Sequence, residues 1–350
     1  GRGPQRDLKR YRVQSRRHGF SNCRSRCADL FAGNSELSTM YIHLAEDSSS
    51  ESWNNYVRNH PRGLPYHLTS WQEAIKEVYG FESCSLVAED SGNVCGILPL
   101  TKFHVPWQKP NLISLPYCDA AGVLSNNQAV TSNLINRALQ IATEENCHCQ
   151  IRSADLLPVQ GENVTDKVRM VLELPNSAEE LLAGLKSKVR SQVKKPLRDG
   201  LTAKVGGIEL LDHFFLIFSE NMRDLGSPVH IRHWINAIVK HYGTQALVTV
   251  IYTPEQRPAA AGILLKHPTT VSVPWASSLR KYNSLNPNML LYWTFLSHAS
   301  DNGHRYFDFG RSTPGEGTYR FKEQWGAVPE QLYWYGWPEK RGGSEKTLAI

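Results

Sequence analysis

Hydrophobic positions along this chain follow two spacings, and the switches between them mark out its elements. Residues 1–39 show no apolar period and are rich in Arg and Ser. Patterning starts just after Met40, where Tyr41-Ile42-His43-Leu44 reads as a first strand. Folded sequence is therefore expected to begin near Met40, with 1–39 as a flexible basic extension. Helical spacing follows over 52–58 and 71–79, the second stopped by Gly80. β-formers fill 81–89 and 93–101 around Asp90-Ser91-Gly92, an antiparallel hairpin. A helix over 129–145 and a strand over 147–152 complete this run.

The same order then returns. Helices are predicted over 177–185, 210–223 and 231–241. A hairpin joins 247–252 to 259–266, followed by a strand at 270–276, a helix at 288–300 and a strand at 306–309. Short motifs recur in step. Gly96-Ile97-Leu98 reappears as Gly262-Ile263-Leu264, and Arg152-Ser153 reappears at nearly the same offset as Arg311-Ser312. So long a period is outside the range of a solenoid repeat and fits a duplicated α/β (α+β) domain. The expected organisation is an N-terminal domain over 40–165, a C-terminal domain over 166–340 and a short tail, 341–350. The boundary falls near Gly161-Glu162-Asn163. Each domain is expected to hold a mixed, largely antiparallel sheet flanked by helices.

Composition sharpens this picture. The 350 residues include 39 Lys and Arg against 33 Asp and Glu, a formal net charge of +6. Residues 1–39 hold nine basic and three acidic residues, so 40–350 carries 30 of each sign. A protein-wide nucleic-acid footprint is excluded and DNA is not an expected partner. A basic arm for anionic lipid or RNA is the functional alternative for 1–39. Seven cysteines, an odd number scattered through a long chain, do not make the disulfide framework of a small secreted domain. Cys147-His148-Cys149 has no second ligand pair at zinc spacing, so free thiols in a reducing cytoplasm are expected, and no metal. No apolar run reaches the roughly 18 residues of a membrane span, which leaves only peripheral contact with the inner membrane.

The chain lacks GxSxG, a P-loop, HExxH and a GxGxxG opening a helix. His104, His213, His267 and His298 read as surface or satisfied core positions. Three stretches carry chemistry. In 186–198 six residues are cationic and none is acidic. Such like charges repel unless an anion binds, which points to a phosphate or diphosphate held by Lys188, Arg190 and Lys195. From Val273 to Met289 a strand passes Trp275 and Arg280 into a helix whose start, near Asn288, favours an anion. From Phe307 to Gly326 an apolar strand enters a Gly-rich polar loop holding Arg311, Ser312, Glu316 and Lys322. Strand ends are where α/β proteins place their sites.

Together these stretches resemble the Fem-type branch of the GNAT acyltransferase superfamily, whose members pair two tandem GNAT-like domains. The likeness covers about 40–340. It is strongest in Lys188-Val189-Arg190 through Gly200-Leu201, in Asn286-Pro287-Asn288-Met289-Leu290-Leu291-Tyr292-Trp293, in Phe307-Asp308-Phe309-Gly310-Arg311-Ser312 and in Tyr319 through Gly326. Within the branch it is similar to Fem-like proteins associated with exosortase and exopolysaccharide loci.

The resemblance implies an N-acyltransferase that moves an acyl or aminoacyl group to an amine of a cell-envelope or polysaccharide-related acceptor. It places Phe321 and Lys322 at the reacting centre, where a cationic Lys stabilises the oxyanion of a tetrahedral intermediate. It implies substrate contacts from Trp71, Tyr117 and Asp119 in the first half. In the second half it implies contacts from Trp275, Arg280, Asn288, Arg311, Ser312 and Tyr319. The acceptor would be a phosphorylated or lipid-linked small molecule. The donor is acyl-CoA or an aminoacyl-tRNA, because Arg280-Lys281-Tyr282-Asn283-Ser284-Leu285 replaces the glycine-bearing pyrophosphate loop of acetyl-CoA enzymes and no heptad stretch supplies a helical tRNA arm. Alternative readings are an aminoacyl-tRNA-dependent peptidyltransferase on a peptidoglycan precursor and a non-catalytic module that binds a glycan or its carrier. Oligomeric state leaves no mark in the sequence.

Overall fold

The computed structural model describes residues 40–45, 50–104, 109–159, 163 and 165–338. The expectations for 1–39 and 341–350 lie outside the described residues. Three sheets organise the rest. The first contains β1 (Tyr41–Leu44), β3 (Leu86–Asp90), β4 (Asn93–Leu98) and β7 (Leu124–Ser125), all antiparallel in the order β1-β3-β4-β7. The predicted hairpin is therefore present. Its outer ends leave it as β2 (Glu82–Ser83) and β5 (Thr101–Phe103), which pair in a second sheet. That sheet continues through β6 (Asn111–Ile113) and β8 (His148–Ser153) to β16 (Tyr333–Trp337). Strand β16 comes from the far end of the chain and pairs antiparallel with β8.

The third sheet has seven strands in the order β10-β11-β12-β13-β14-β9-β15. They are β9 (Val168–Glu173), β10 (Thr202–Gly206), β11 (Ala246–Tyr252), β12 (Pro258–Lys266), β13 (Thr270–Ser278), β14 (Tyr306–Ser312) and β15 (Val328–Gln331). All neighbours are antiparallel except β13 and β14. The duplication read from the sequence is visible in this topology. In the first half α3 (Gln128–Glu144) lies between the parallel strands β6 and β8. In the second, α8 (Pro287–Asp301) lies between the parallel strands β13 and β14. Joining parallel strands needs such a crossover, because a tight turn can only reverse the chain.

Helices form where the apolar spacing placed them, and one more forms over the cationic stretch 187–198. They are α1 (Ser50–Asn59), α2 (Thr69–Tyr79), α4 (Ala178–Gly184), α5 (Ser187–Arg198), α6 (Leu211–Leu225) and α7 (Arg232–Tyr242). Gly80 ends α2 with φ +66°, a left-handed cap that only glycine adopts without strain. The stretch after β14, read as a loop, instead forms a short helix, α9 (Gly317–Glu323). Among the described residues no helix is long and apolar enough to cross a membrane. Cys84, Cys95, Cys118, Cys147 and Cys149 are free thiols.

Candidate functional site

Strands β13 and β14 pair only over Thr270–Ser272 and Tyr306–Asp308. Beyond that register β13 runs on to Ser278 while β14 follows β9 instead. A cleft of about 310 Å³ is lined by the end of β13 (Ala276, Ser277, Ser278), by Asn288 and Tyr292 of α8, by Asn221 of α6 and by Gly317, Thr318, Phe321 and Lys322 of α9. Asn221 fixes the β13 side by donating from Nδ2 to Ser277 Oγ at 3.1 Å. The apolar wall is an aromatic corner: Tyr292 meets Phe321 edge-on at 5.0 Å and stacks on Phe309 at 5.5 Å.

Lys322 is the charged side chain that lines this cleft. Only 7% of it is exposed. Its Nζ donates to the carbonyls of Gly310 (3.0 Å) and Arg311 (2.8 Å). An ammonium has three N–H donors, so one remains for a group in the cleft. Burial pushes its pKa down to about 8, while Asp308 and Asp119 pull it back up and Arg311 lowers it further. Asp308 is itself buried, and burial raises its carboxyl above the usual range against the opposing pull of Arg169.

A second cluster joins residues of the two halves near Lys322. Arg311 Nη1 pairs with Asp119 Oδ1 at 3.1 Å. Trp334 of β16 donates from Nε1 to the Asp119 carbonyl at 2.9 Å. Arg152 lies over the Trp334 ring, 4.4 Å from its centre, and donates to the Cys118 carbonyl. The segment bearing Cys118 and Asp119 reaches this position through Leu115 and Tyr117, both at φ +65°. Non-glycine residues held there are strained and persist only where surroundings fix them. Pro116 between them accepts the Trp71 indole N–H.

The expected site residues thus divide into groups. Phe321, Lys322 and Asn288 share the cleft, and Arg311 and Asp119 share an ion pair. Ser312 is buried with its hydroxyl unpartnered. Tyr319 packs partly buried against the core of the second half. Trp71 is corrected to a core residue: it is fully buried, stacked on Trp275 at 6.0 Å and edge-on to Trp234. Tyr117 belongs to the same aromatic cluster, 5.2 Å from Trp234.

Arg280 opens the short turn that leads into α8, and Asn288 stands in the first turn of that helix. The α8 N-cap is Asn286, in the left-handed region at φ +54°, and Asn288 is two residues further along, inside the helix. Arg280 donates to the Asp224 carbonyl at the end of α6. The cationic helix α5 also splits by role. Arg190 donates to the carbonyls of Ala183 and Leu185 and so caps α4. Lys195 binds Asp199 and the Ser284 carbonyl. Lys188 is exposed.

Sequence reasoning passed over Asp308, Arg169, Tyr292, Asn221 and Trp334. A signal existed for Asp308, a lone carboxylate between two phenylalanines of an apolar strand. Among the described residues no group of three or more His, Cys, Asp or Glu could hold a metal ion.

Residues 187–323 match the family described as Acetyltransferase (GNAT) domain. No curated protein sequence matches the chain. Several solved structures share its fold. FemX superposes with a TM-score of 0.68 at 14% identity, covering 85% of this chain and 96% of that one. The C-terminal domain of a protein named as a lysylphosphatidylglycerol synthetase from Agrobacterium fabrum gives 0.57 at 10% identity, with 82% and 91% covered. A tandem GNAT protein from the clavulanic acid biosynthesis pathway gives 0.52 at 12%, with 85% and 98% covered. The fold is thus GNAT-like and tandem, and with the matched domain the chain is a transferase of the acyltransferase class, EC 2.3.

Proposed function

We propose, from the GNAT domain over residues 187–323 as premise, that this chain transfers an acyl or aminoacyl group to an amine in the Lys322 cleft. The observation that carries the reading is the buried ammonium of Lys322, held by two carbonyls at the floor of a cleft between parting strands. The acceptor nitrogen bonds to the donor carbonyl carbon, and a tetrahedral intermediate with an oxyanion forms. The free N–H of Lys322 stabilises that oxyanion in a water-poor site, where a cation acts more strongly than in bulk. Collapse breaks the bond to the leaving sulfur or oxygen, which departs as the thiol or hydroxyl carrying the proton that the amine gives up.

The fold likeness to FemX supports a Fem-type branch, and the exosortase-associated proteins are its proposed relatives. The name of the Agrobacterium neighbour supports aminoacyl transfer to a lipid-linked acceptor at the envelope. The acceptor is proposed to be phosphorylated, with Lys188 as an exposed α5 cation to meet it, and the chain to work at the cytoplasmic membrane face. The two-domain division, 40–165 and 166–340, is part of this proposal, with β16 returning to the first half. Calorimetry against acetyl-CoA and against charged tRNA tests the donor. Binding of one with Lys322-dependent turnover supports acyl transfer; binding of neither removes the reading.

A further inference from the structure

Strand β14 breaks its register with β9 between Asp308 and Arg311, and Gly310 sits inside that break at φ +78°. A side chain there would be strained, and its Cβ would also meet the Val273 carbonyl at 3.4 Å. The Asp308 carboxylate bridges the break: Oδ1 accepts the Gly310 N–H at 2.7 Å. In the next two peptide units, the Gly310 and Arg311 carbonyls accept two N–H bonds from Lys322. One buried carboxylate therefore fixes the backbone that fixes the ammonium.

We infer that Asp308 is the positioning residue of the site, clamping the Gly310 bulge so that two carbonyls and one negative charge hold Lys322 in the cleft. This rests on the reading of Lys322 as the reacting centre. Asp308 is placed by Arg169 of β9, whose Nη1 lies 3.8 Å from Oδ2 and whose Nη2 pairs with Glu330 of β15 at 2.5 Å. The other charged or titratable groups facing the pair are Asp119, Arg311 and the buried Tyr66 phenol of the turn Pro65–His67. Asp119 and Arg311 already neutralise one another. Asp308 then acts on Lys322 through the field of its charge, which favours the charged ammonium.

The test separates charge from geometry. Asp308→Asn keeps an acceptor for the Gly310 N–H and removes the charge. Asp308→Glu keeps the charge and misplaces the acceptor. Lys322 Nζ is titrated by NMR in the lysine-labelled full chain, its signal identified by loss in Lys322→Gln. In Asp308→Asn the midpoint should fall by about 1 pH unit or more, and the alkaline limb of kcat/KM should move with it. In Asp308→Glu the midpoint should stay near that of the parent while kcat drops. A folded Asp308→Asn protein with an unmoved Lys322 midpoint overturns the inference. Because the titration needs no substrate, it decides even if acyl transfer itself is not found. Should the Asn variant not fold, the unaltered protein decides: its Gly310 amide must be protected from exchange, and an amide exchanging at solvent rates overturns the clamp.

Discussion

Arg152 and Arg311, the arginines of the two recurring Arg-Ser pairs, converge on one indole: their guanidinium carbons lie 4.4 and 5.6 Å from the centre of the Trp334 ring. Each stands near the end of the strand that follows the crossover helix of its half, β8 or β14. Only 6% of Arg152 is exposed, so the ring is its main partner beside the Cys118 carbonyl and Gln150. Trp334→Ala should cost about 3–5 kcal/mol, the scale of truncating a buried tryptophan. Trp334→Phe keeps a ring and loses the hydrogen bond to Asp119, about 1 kcal/mol. Urea unfolding checks both, and an Ala variant as stable as the parent would contradict the packing role.

Lys322→Ala should lower turnover by roughly 10²–10³-fold with little change in substrate affinity, since the contact matures only in the transition state. Lys322→Arg should recover part of that activity, because charge survives and geometry does not. Steady-state kinetics on the identified donor decides, and normal turnover in Lys322→Ala removes the assignment.

The same lysine sets a pH signature with opposite signs for activity and stability. If the charged form works, activity falls as pH rises through about 8, the depressed pKa of the buried group. Stability moves the other way. Between about 8 and the ordinary 10.5 the unfolded chain holds a proton that the folded chain has released, so the lysine's burial penalty is relieved as pH rises. Below about 8 the penalty is complete. The stability difference between parent and Lys322→Gln, measured across this window, should therefore shift in favour of the parent.

Arg190 and Lys188, close neighbours on α5, should respond differently to Ala. Arg190→Ala uncaps α4 and should destabilise by about 1 kcal/mol. Lys188→Ala should leave the unfolding midpoint unchanged and weaken a phosphorylated acceptor, a charge-assisted contact of about 1.5–3 kcal/mol. Calorimetry paired with thermal unfolding reads both at once. Equal stability losses would refute the division of roles.

Gly96 and Gly262 do the same work in the two halves. A Cβ on Gly96 would come 2.5 Å from Val130 Cγ1 of α3, and one on Gly262 would come 2.9 Å from Phe295 Cε2 of α8. Each glycine lets a helix lie close on its strand. Ala at either position should cost about 1–3 kcal/mol of overpacking. Gly262→Ala should be the worse, because the Trp275 backbone carbonyl at 3.0 Å cannot step aside. Urea midpoints at unchanged slope test this.

That pair also shows what was legible in the chain itself. The recurring Gly-Ile-Leu, the helix stop at Gly80 and the apolar spacing of α3, α7 and α8 are local signals, because one-sided burial leaves a period in the sequence. They were enough for the duplicated fold, while Lys322 came from the family resemblance of the stretch around it. Strands β6, β7, β9, β10, β15 and β16 escaped, since short strands leave few periods to read and β16 is held by pairing with β8, a strand from the other half of the chain. The site's chemistry escaped for the same reason. Nothing near Lys322 in sequence reveals that its charge is buried, that Asp308 stands behind it or that Arg190 is spent on a helix end. Whether a polar side chain is desolvated, and by what it is matched, depends on surfaces brought together from distant parts of the chain, and only the packed structure supplies them.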